Sequence, residues 1–339
     1  MRTFRRHPLG WGVTFSLLGF ALLFFVPAPM QFGEVVGESL RRVVLSGAAF
    51  GMIALLGGGR VLVPRLDGVG QALRMGAWPI CVSLGVCLLD LASYLGMVSE
   101  GLATVSNGWL ANLLGAAFLC LFVGIYEEAI MRVLLLNGLL SKLGGSRNGV
   151  LQAVLASSLV FGVVHVLPAG SGIDALVLAQ MLLKSLQAAC IGMLLGSVFL
   201  RTHSFYGTAL VHAACDLLLF VPAAFFDEGS MMQVEYVGTS GEDAVAYIIV
   251  YLVALAVYAP AVVISLRLVD GMSAPDFGCF VDGWVASGGR GLVGAAAGAH
   301  GFAPRPDGLV AGGRPVTGAA TDVAGYAEDG HIRPHYPYE

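Results

Sequence analysis

The stretch that decides the fold is residues 109–139, which read WLANLLGAAFLCLFVGIYEEAIMRVLLLNGL. The only charged residues in this stretch are Glu127, Glu128 and Arg132. A run of about 20 apolar residues is long enough to cross the hydrocarbon core of a bilayer as an α-helix. Because this run is longer than one straight crossing needs, we expect its later part to tilt or to leave the membrane.

Seven further runs have the same apolar character. They are residues 11–29, 43–63, 77–98, 149–167, 174–200, 205–225 and 244–268. Lipid offers no hydrogen-bond partner to a bare backbone amide, so a spanning segment must be helical. The sequence therefore predicts an all-α polytopic membrane protein with about eight transmembrane helices.

The composition of the whole chain agrees with this fold class and excludes others. Of 339 residues, 57% are hydrophobic and 12% are charged, whereas soluble domains are about 25% charged. The 18 Lys and Arg residues against 22 Asp and Glu residues leave no basic surface for nucleic acid. A water-soluble globular protein, a disordered chain and a nucleic-acid-binding protein are therefore all excluded, and the lipid bilayer is the expected environment.

The chain divides into three regions by composition. Residues 1–76 form an N-terminal membrane segment of two helices, and residues 77–269 contain the remaining spans. Residues 270–339 are rich in Gly, Ala and Pro and lack apolar periodicity, which predicts a disordered tail. The first apolar run is long for a signal peptide, so we expect it to be retained as a transmembrane helix.

Basic residues predict the orientation in the membrane. They lie before the first run and after the second, fourth, sixth and eighth runs, while the loop after the seventh run is acidic. This pattern puts both termini in the cytoplasm, with Arg41 and Arg42 as the one exception. No organelle signal is visible, so a bacterial plasma membrane is the simplest location.

Charged side chains are costly inside a bilayer and therefore point to function. Glu128 and Arg132 lie four residues apart, so they share a helix face and can form an ion pair. Glu127 points about 100° away from Glu128 around the helix. This division leaves one carboxylate held by the arginine and the other free to take a proton from water. Asp90 and Lys184, which lie in two other runs, carry opposite charges, and we expect them to pair with each other.

Two further polar blocks lie on later helices. Phe161 precedes His165 by four residues, and His212 precedes Asp216 by the same spacing, so each pair shares a helix face. With the glutamates, these side chains could activate water and stabilise an oxyanion. The same set could instead hold one Zn²⁺ and leave a fourth position for water. The sequence has no HExxH motif, and it leaves both the zinc and the metal-free glutamate mechanism open.

The three blocks Glu127-Glu128-x-x-x-Arg132, Phe161-x-x-x-His165 and His212-x-x-x-Asp216 together resemble the signature of the CPBP family. This family comprises type II CAAX prenyl endopeptidases and abortive-infection proteins, with motifs EExxxR, FxxxH and HxxxN or HxxxD. The resemblance implies an intramembrane endopeptidase that cleaves a membrane-associated peptide or protein of CAAX or another type, either with one bound Zn²⁺ or without a metal.

The resemblance also implies roles for the motif residues. The paired glutamates would activate water, while His165, His212 and Asp216 would bind a metal or stabilise the oxyanion. The candidate metal ligands are Glu128, His165 and His212, and Phe161 is a candidate pocket wall. Many members have Asn at the last motif position, so an ionised Asp216 is expected to orient His212 or a metal rather than donate to an oxyanion.

Two other functions stay open from the sequence alone. A catalytically silent scaffold or bacteriocin-immunity protein would bind a partner through the same residues. A transporter would use them as a proton relay, although no paired broken helices are visible. The endopeptidase interpretation requires the imidazoles of His165 and His212 to meet beside the glutamates, and we expect that they do.

Overall fold

The computed structural model describes residues 7–64, 68–144, 146–167, 174–226 and 241–270. Within these residues, 8 helices are long and apolar enough to cross a membrane. They are α1 Pro8–Phe25, α2 Glu34–Leu56, α3 Ala77–Ser99, α4 Trp109–Leu143, α5 Arg147–Val164, α6 Ala175–Thr202, α7 Phe205–Phe225 and α8 Gly241–Asp270. The predicted all-α membrane fold is confirmed. Apart from Asp270, the predicted tail lies outside the described residues.

Local capping signals set several helix ends. Side-chain oxygens of Ser146, Asp174 and Ser204 accept backbone N–H groups in the first turns of α5, α6 and α7. Such caps satisfy donors that would otherwise have no partner in the helix. Helix α2 ends at Leu56, and the C-cap residue Gly57 has a φ of 90°, a left-handed conformation that glycine adopts without strain.

The predicted bounds of α2 were wrong at both ends. The run was expected to cover residues 43–63, but the helix begins at Glu34 and ends at Leu56. Arg41 and Arg42 therefore lie inside a helix and not in a loop. Their charges are tolerated there because Glu38, three and four residues earlier, pairs with both guanidinium groups. Hydropathy alone treats these charges as unpaired, so the predicted run began only after them, at residue 43, and was extended past Leu56 to residue 63.

The long helix α4 lies at the centre of the fold. It is α-helical from Trp109 to Glu128, π-helical over Ala129–Leu136 and α-helical again over Asn137–Leu143. All eight residues of the π-helical stretch are buried. Helices α1, α2, α5 and α7 pack against α4. This change in helix winding is a feature that is frequent at functional sites. That the later part of the run tilts or leaves the membrane stays a prediction.

Small residues allow α1 and α7 to approach α4 closely. A Cβ atom on Gly124 of α4 would lie 2.6 Å from the carbonyl oxygen of Ala209 on α7. A Cβ atom on Gly12 of α1 would lie 2.7 Å from the carbonyl oxygen of Leu134 on α4. Close backbone approach of this kind is typical of helix contacts in membranes. It brings the polar residues of α4 and α7 within reach of each other.

The remaining helices pack outside this centre. Helix α6 packs against α5 and α8, whereas α3 packs against α7. The expected pairing of Asp90 on α3 with Lys184 on α6 is therefore wrong, since the described residues contain no ion pair between them. Asp90 is exposed, and Nζ of Lys184 lies 3.1 Å from Oε1 of Gln187.

Candidate active site

Three helices bring the two imidazoles to one carboxylate. Oε2 of Glu127 on α4 lies 3.8 Å from Nε2 of His165 at the end of α5 and 3.8 Å from Nε2 of His212 on α7. The expectation that the two histidines meet beside the glutamates is confirmed. His165 directly follows Val164, the last residue of α5, and His212 lies in the second turn of α7.

Glu128 is the structurally bound member of the pair. Its side chain and that of Arg132 are completely buried, and Nε of Arg132 lies 2.7 Å from Oε2 of Glu128. The ion pair predicted from their spacing is therefore confirmed. Nδ1 of His212 lies 2.9 Å from Oε1 of Glu128. Both oxygens of Glu128 are thus occupied, and this carboxylate links α4 to α7.

Glu127 is the more accessible member, with 19% of its side chain exposed. Its second oxygen, Oε1, lies 3.4 Å from Nη1 of Arg42 on α2. Two arginines therefore face the two glutamates, one from α4 and one from α2. Sequence reasoning missed Arg42 because it was assigned to a loop. The signal that could have found it is Glu38-x-x-Arg41-Arg42, a charge cluster with helical spacing beside an apolar run.

The hydrogen bonds of His165 assign its ring protons. Nδ1 lies 2.7 Å from the carbonyl oxygen of Phe161, and a carbonyl can only accept, so Nδ1 carries the hydrogen. In the neutral ring, Nε2 then has a free lone pair directed towards Glu127. Two polar atoms 3.8 Å apart can both contact one water at about 2.8 Å. This geometry suits a water held between a carboxylate and an imidazole.

The second imidazole is surrounded by acceptors. Nδ1 of His212 donates to Glu128, and Nε2 lies 3.5 Å from Oδ2 of Asp216. Ionised carboxylates only accept hydrogen bonds. The contact between Nε2 and Asp216 therefore requires a proton, either on Nε2 or on the carboxyl group. A His212 protonated on both nitrogens would present an N–H group at the side that faces Glu127.

Phe161 packs against three of these side chains. Its ring is 3% exposed, and its centroid lies 4.3 Å from that of His165 and 5.8 Å from that of His212. Cζ of Arg132 lies 5.1 Å from the same centroid, a cation–π distance. The ring also forms one wall of a pocket lined by Phe20, Leu23, Tyr126, Glu127, Ile130, Met131, Phe161, Val164 and His165. Apolar side chains thus flank the polar cluster.

The predicted metal ligands are not arranged around one point. Glu128 is held by Arg132 and His212, and it contacts the Nδ1 side of His212, whereas His165 faces the Nε2 side through Glu127. In the described part of the chain, no group of three or more His, Cys, Asp or Glu side chains could hold a metal ion. The set Glu128, His165 and His212 does not fit a zinc site, because its carboxylate is already occupied.

Residues 108–218 match the family model described as Type II CAAX prenyl endopeptidase Rce1-like. This segment is therefore similar to the type II CAAX prenyl endopeptidases of the CPBP family. The match begins one residue before α4 and ends within α7, so the matched segment contains all three motifs, from Glu127 to Asp216. Neither a curated protein nor a solved structure matches the chain. The match supports, in general terms, an intramembrane endopeptidase of the CAAX-processing type, and the eight apolar helices support an integral membrane protein.

Proposed function

We propose that this protein hydrolyses a peptide bond of a membrane-associated substrate with a water molecule activated by Glu127. The observation that carries the proposal is that Nε2 of His165 and Nε2 of His212 both lie 3.8 Å from Oε2 of Glu127. This oxygen belongs to the more accessible carboxylate of the pair, inside the segment that matches the endopeptidase family.

The first step is attack by water on the carbonyl carbon. A water between Glu127 and His165 gives one proton to the carboxylate as its oxygen bonds to the carbon. The carbonyl π-electrons move to the oxygen, and a tetrahedral oxyanion forms. Collapse of this intermediate breaks the C–N bond, and the proton held by Glu127 passes to the leaving nitrogen. The products are a carboxylic acid and an amine, and Glu127 returns to its ionised form.

The oxyanion needs a positioned donor, since such donors contribute most where charge develops. His212 meets this need when Nε2 carries a proton. Glu128 fixes the ring through Nδ1, and Asp216 lies on the Nε2 side. Asp216 then orients His212 and does not itself stabilise the oxyanion. Many family members have Asn at this position, which can donate a hydrogen bond, whereas an ionised Asp can only accept one.

The family match and the pocket support a proposal for the substrate class. We propose a CAAX-type substrate, a membrane-associated chain cleaved near its C-terminus. Six apolar side chains line one pocket together with Glu127 and His165, namely Phe20, Leu23, Ile130, Met131, Phe161 and Val164. Such a lining favours aliphatic residues next to the scissile bond.

The decisive experiment compares Glu127→Gln with the wild-type protein in liposomes. The probe is a farnesylated CAAX peptide with a fluorophore and a quencher on opposite sides of the scissile bond. We expect Glu127→Gln to bind the probe and to lose cleavage, because the amide cannot accept the proton. The control is Glu100→Gln, which changes an exposed residue just after α3 and should retain activity.

The result also separates an enzyme from a binding protein. A silent scaffold or immunity protein would bind partners equally well with either residue and would cleave nothing. Cleavage by Glu127→Gln at the wild-type rate would contradict the proposed base. Binding of the peptide without cleavage by the wild type would contradict the endopeptidase assignment for this substrate class.

We propose that hydrolysis proceeds without a bound metal, because Arg42 and Arg132 already face the two glutamates. Elemental analysis of the purified protein should show less than one equivalent of zinc, and 1,10-phenanthroline should leave the cleavage rate unchanged. Stoichiometric zinc together with loss of activity on chelation would support the zinc alternative instead.

We also propose that both termini lie in the cytoplasm of a bacterial cell. The placement of Arg41 and Arg42 inside α2, paired with Glu38, supports this orientation. It removes the one exception to the distribution of basic loop residues. Reporter fusions at residue 339 and in the loop after α7 should report cytoplasmic and external locations, respectively. The reverse pattern would contradict the orientation.

A further inference from the structure

Helix α2 carries a cluster of charges outside the segment that matches the family. Glu38 is 3% exposed, and its Oε1 lies 2.6 Å from Nη2 of Arg41 and 2.9 Å from Nε of Arg42. Charged side chains are costly in a membrane helix. Three of them within five residues call for an explanation beyond helix formation.

The two arginines point to different partners. Nη1 of Arg41 donates to the carbonyl oxygens of Leu23, at 2.9 Å, and Val26, at 3.3 Å. These carbonyls belong to the C-terminal end of α1, where the helix dipole attracts cations. Arg41 therefore fastens α1 to α2. One carboxylate and two guanidinium groups leave one net positive charge in the cluster.

Arg42 extends towards the centre of the fold. Its Nη1 lies 3.4 Å from Oε1 of Glu127, and its Cζ lies 5.8 Å from the centroid of the Tyr126 ring. Glu38 contacts Nε of the same guanidinium group and so fixes the position of Arg42 relative to Glu127. The two oxygens of Glu127 are thereby distinguished: Oε1 faces Arg42, and Oε2 faces the two imidazoles.

We propose that Arg42 is a positioning residue for Glu127, supplied by the N-terminal helix pair to a site otherwise built within residues 108–218. This inference rests on the proposed function of Glu127. Arg42 holds one oxygen so that the other lies between His165 and His212. Without the guanidinium group the carboxylate can rotate away from the water, and misplacement of a reacting group by about 1 Å can cost about 100-fold in rate.

The experiment uses three variants of the full-length protein in liposomes with the farnesylated CAAX peptide as probe. Arg42→Gln should lower kcat by at least about tenfold, on the scale of such misplacements, while KM changes less than about twofold. Arg42→Lys should restore part of kcat, since it returns the charge but not the fork geometry.

The matched control is Arg41→Gln, which removes a neighbouring guanidinium from the same Glu38. Because Arg41 is directed at α1, this variant should lower the melting temperature and retain kcat. Equal losses of kcat in Arg41→Gln and Arg42→Gln, or wild-type kcat in Arg42→Gln, would overturn the proposal while leaving the role of Glu127 intact.

A second measurement does not depend on cleavage of the probe. Dicyclohexylcarbodiimide modifies intramembrane carboxyl groups, and an ion pair must open before the reagent can act. Peptide mass spectrometry should show several-fold faster modification of Glu127 in Arg42→Gln than in the wild type or in Arg41→Gln. If the wild type does not cleave the probe, the proposed substrate class fails, and this measurement alone decides on Arg42. Equal rates in all three proteins would overturn the inference.

Discussion

Nδ1 of His212 lies 2.9 Å from Oε1 of Glu128, although the two residues are 84 positions apart in the chain. The contact joins α7 to α4 at a point where Glu128 and Arg132 are completely buried. The two glutamates therefore have different roles. Glu128 holds the imidazole of His212 in place, whereas Glu127 faces the imidazoles of both His165 and His212.

Removal of Glu128 should cost both stability and activity. In Glu128→Ala the guanidinium group of Arg132 stays buried without its carboxylate, a change that costs about 3–5 kcal/mol. The free energy of unfolding in mixed micelles should fall by that amount. The double variant Glu128→Leu with Arg132→Met should recover much of the stability, because no charge remains buried. Its cleavage rate should stay low, since His212 has lost its partner, and a return of activity would contradict the role of Glu128.

Phe161 should matter for the rate beyond its contribution to packing. Phe161→Ala removes a ring that is 3% exposed and should cost about 3–5 kcal/mol of stability. Phe161→Leu keeps most of the volume but loses the ring contacts with His165 and His212. We expect Phe161→Leu to reduce kcat more than its melting temperature suggests. The control is Phe205→Leu, which changes an equally buried ring of the core and should lower stability only.

Gly124 should be intolerant of even one added methyl group. A Cβ atom there would meet the carbonyl oxygen of Ala209 at 2.6 Å, so Gly124→Ala must push α4 and α7 apart. We expect a lower melting temperature and a reduced cleavage rate, because His212 on α7 moves relative to the glutamates. Gly85→Ala on α3, where a Cβ atom meets nothing within 4 Å, is the control. It should be neutral or slightly stabilising, and equal effects of the two changes would argue against close packing at Gly124.

Asp216 should tolerate an amide but not an apolar side chain. Asp216→Asn can accept a hydrogen bond from Nε2 of His212 through its carbonyl oxygen and can also donate to an oxyanion. We expect it to retain cleavage within about tenfold of the wild-type rate. Asp216→Leu removes the acceptor that lies 3.5 Å from Nε2 and should reduce kcat much further. Asp90→Leu, at an exposed carboxylate on α3, controls for loss of a charge within a span.

Much of the fold was predictable because its signals are local. A run such as residues 109–139 is identified by length and hydropathy, since lipid imposes the same requirement on every spanning helix. The ion pair of Glu128 with Arg132 follows from a spacing of one helical turn. In the same way, the spacing of Phe161 and His165, and of His212 and Asp216, put each pair on one face. Neighbouring positions on one helix need no knowledge of the rest of the chain.

Contacts between helices were decided only by the tertiary structure. Nothing in the sequence states that α2 packs against α4, and so nothing places Arg42 beside Glu127 or tells which glutamate His212 holds. Because packing partners cannot be read from the sequence, Arg41 and Arg42 were predicted to lie in a loop, and Asp90 was predicted to pair with Lys184. Each partner lies on another helix, and the depth, rotation and close approach of helices depend on packing at residues such as Gly12 and Gly124. Hydropathy reports how favourably one segment transfers into lipid, whereas these contacts depend on how one helix packs against another.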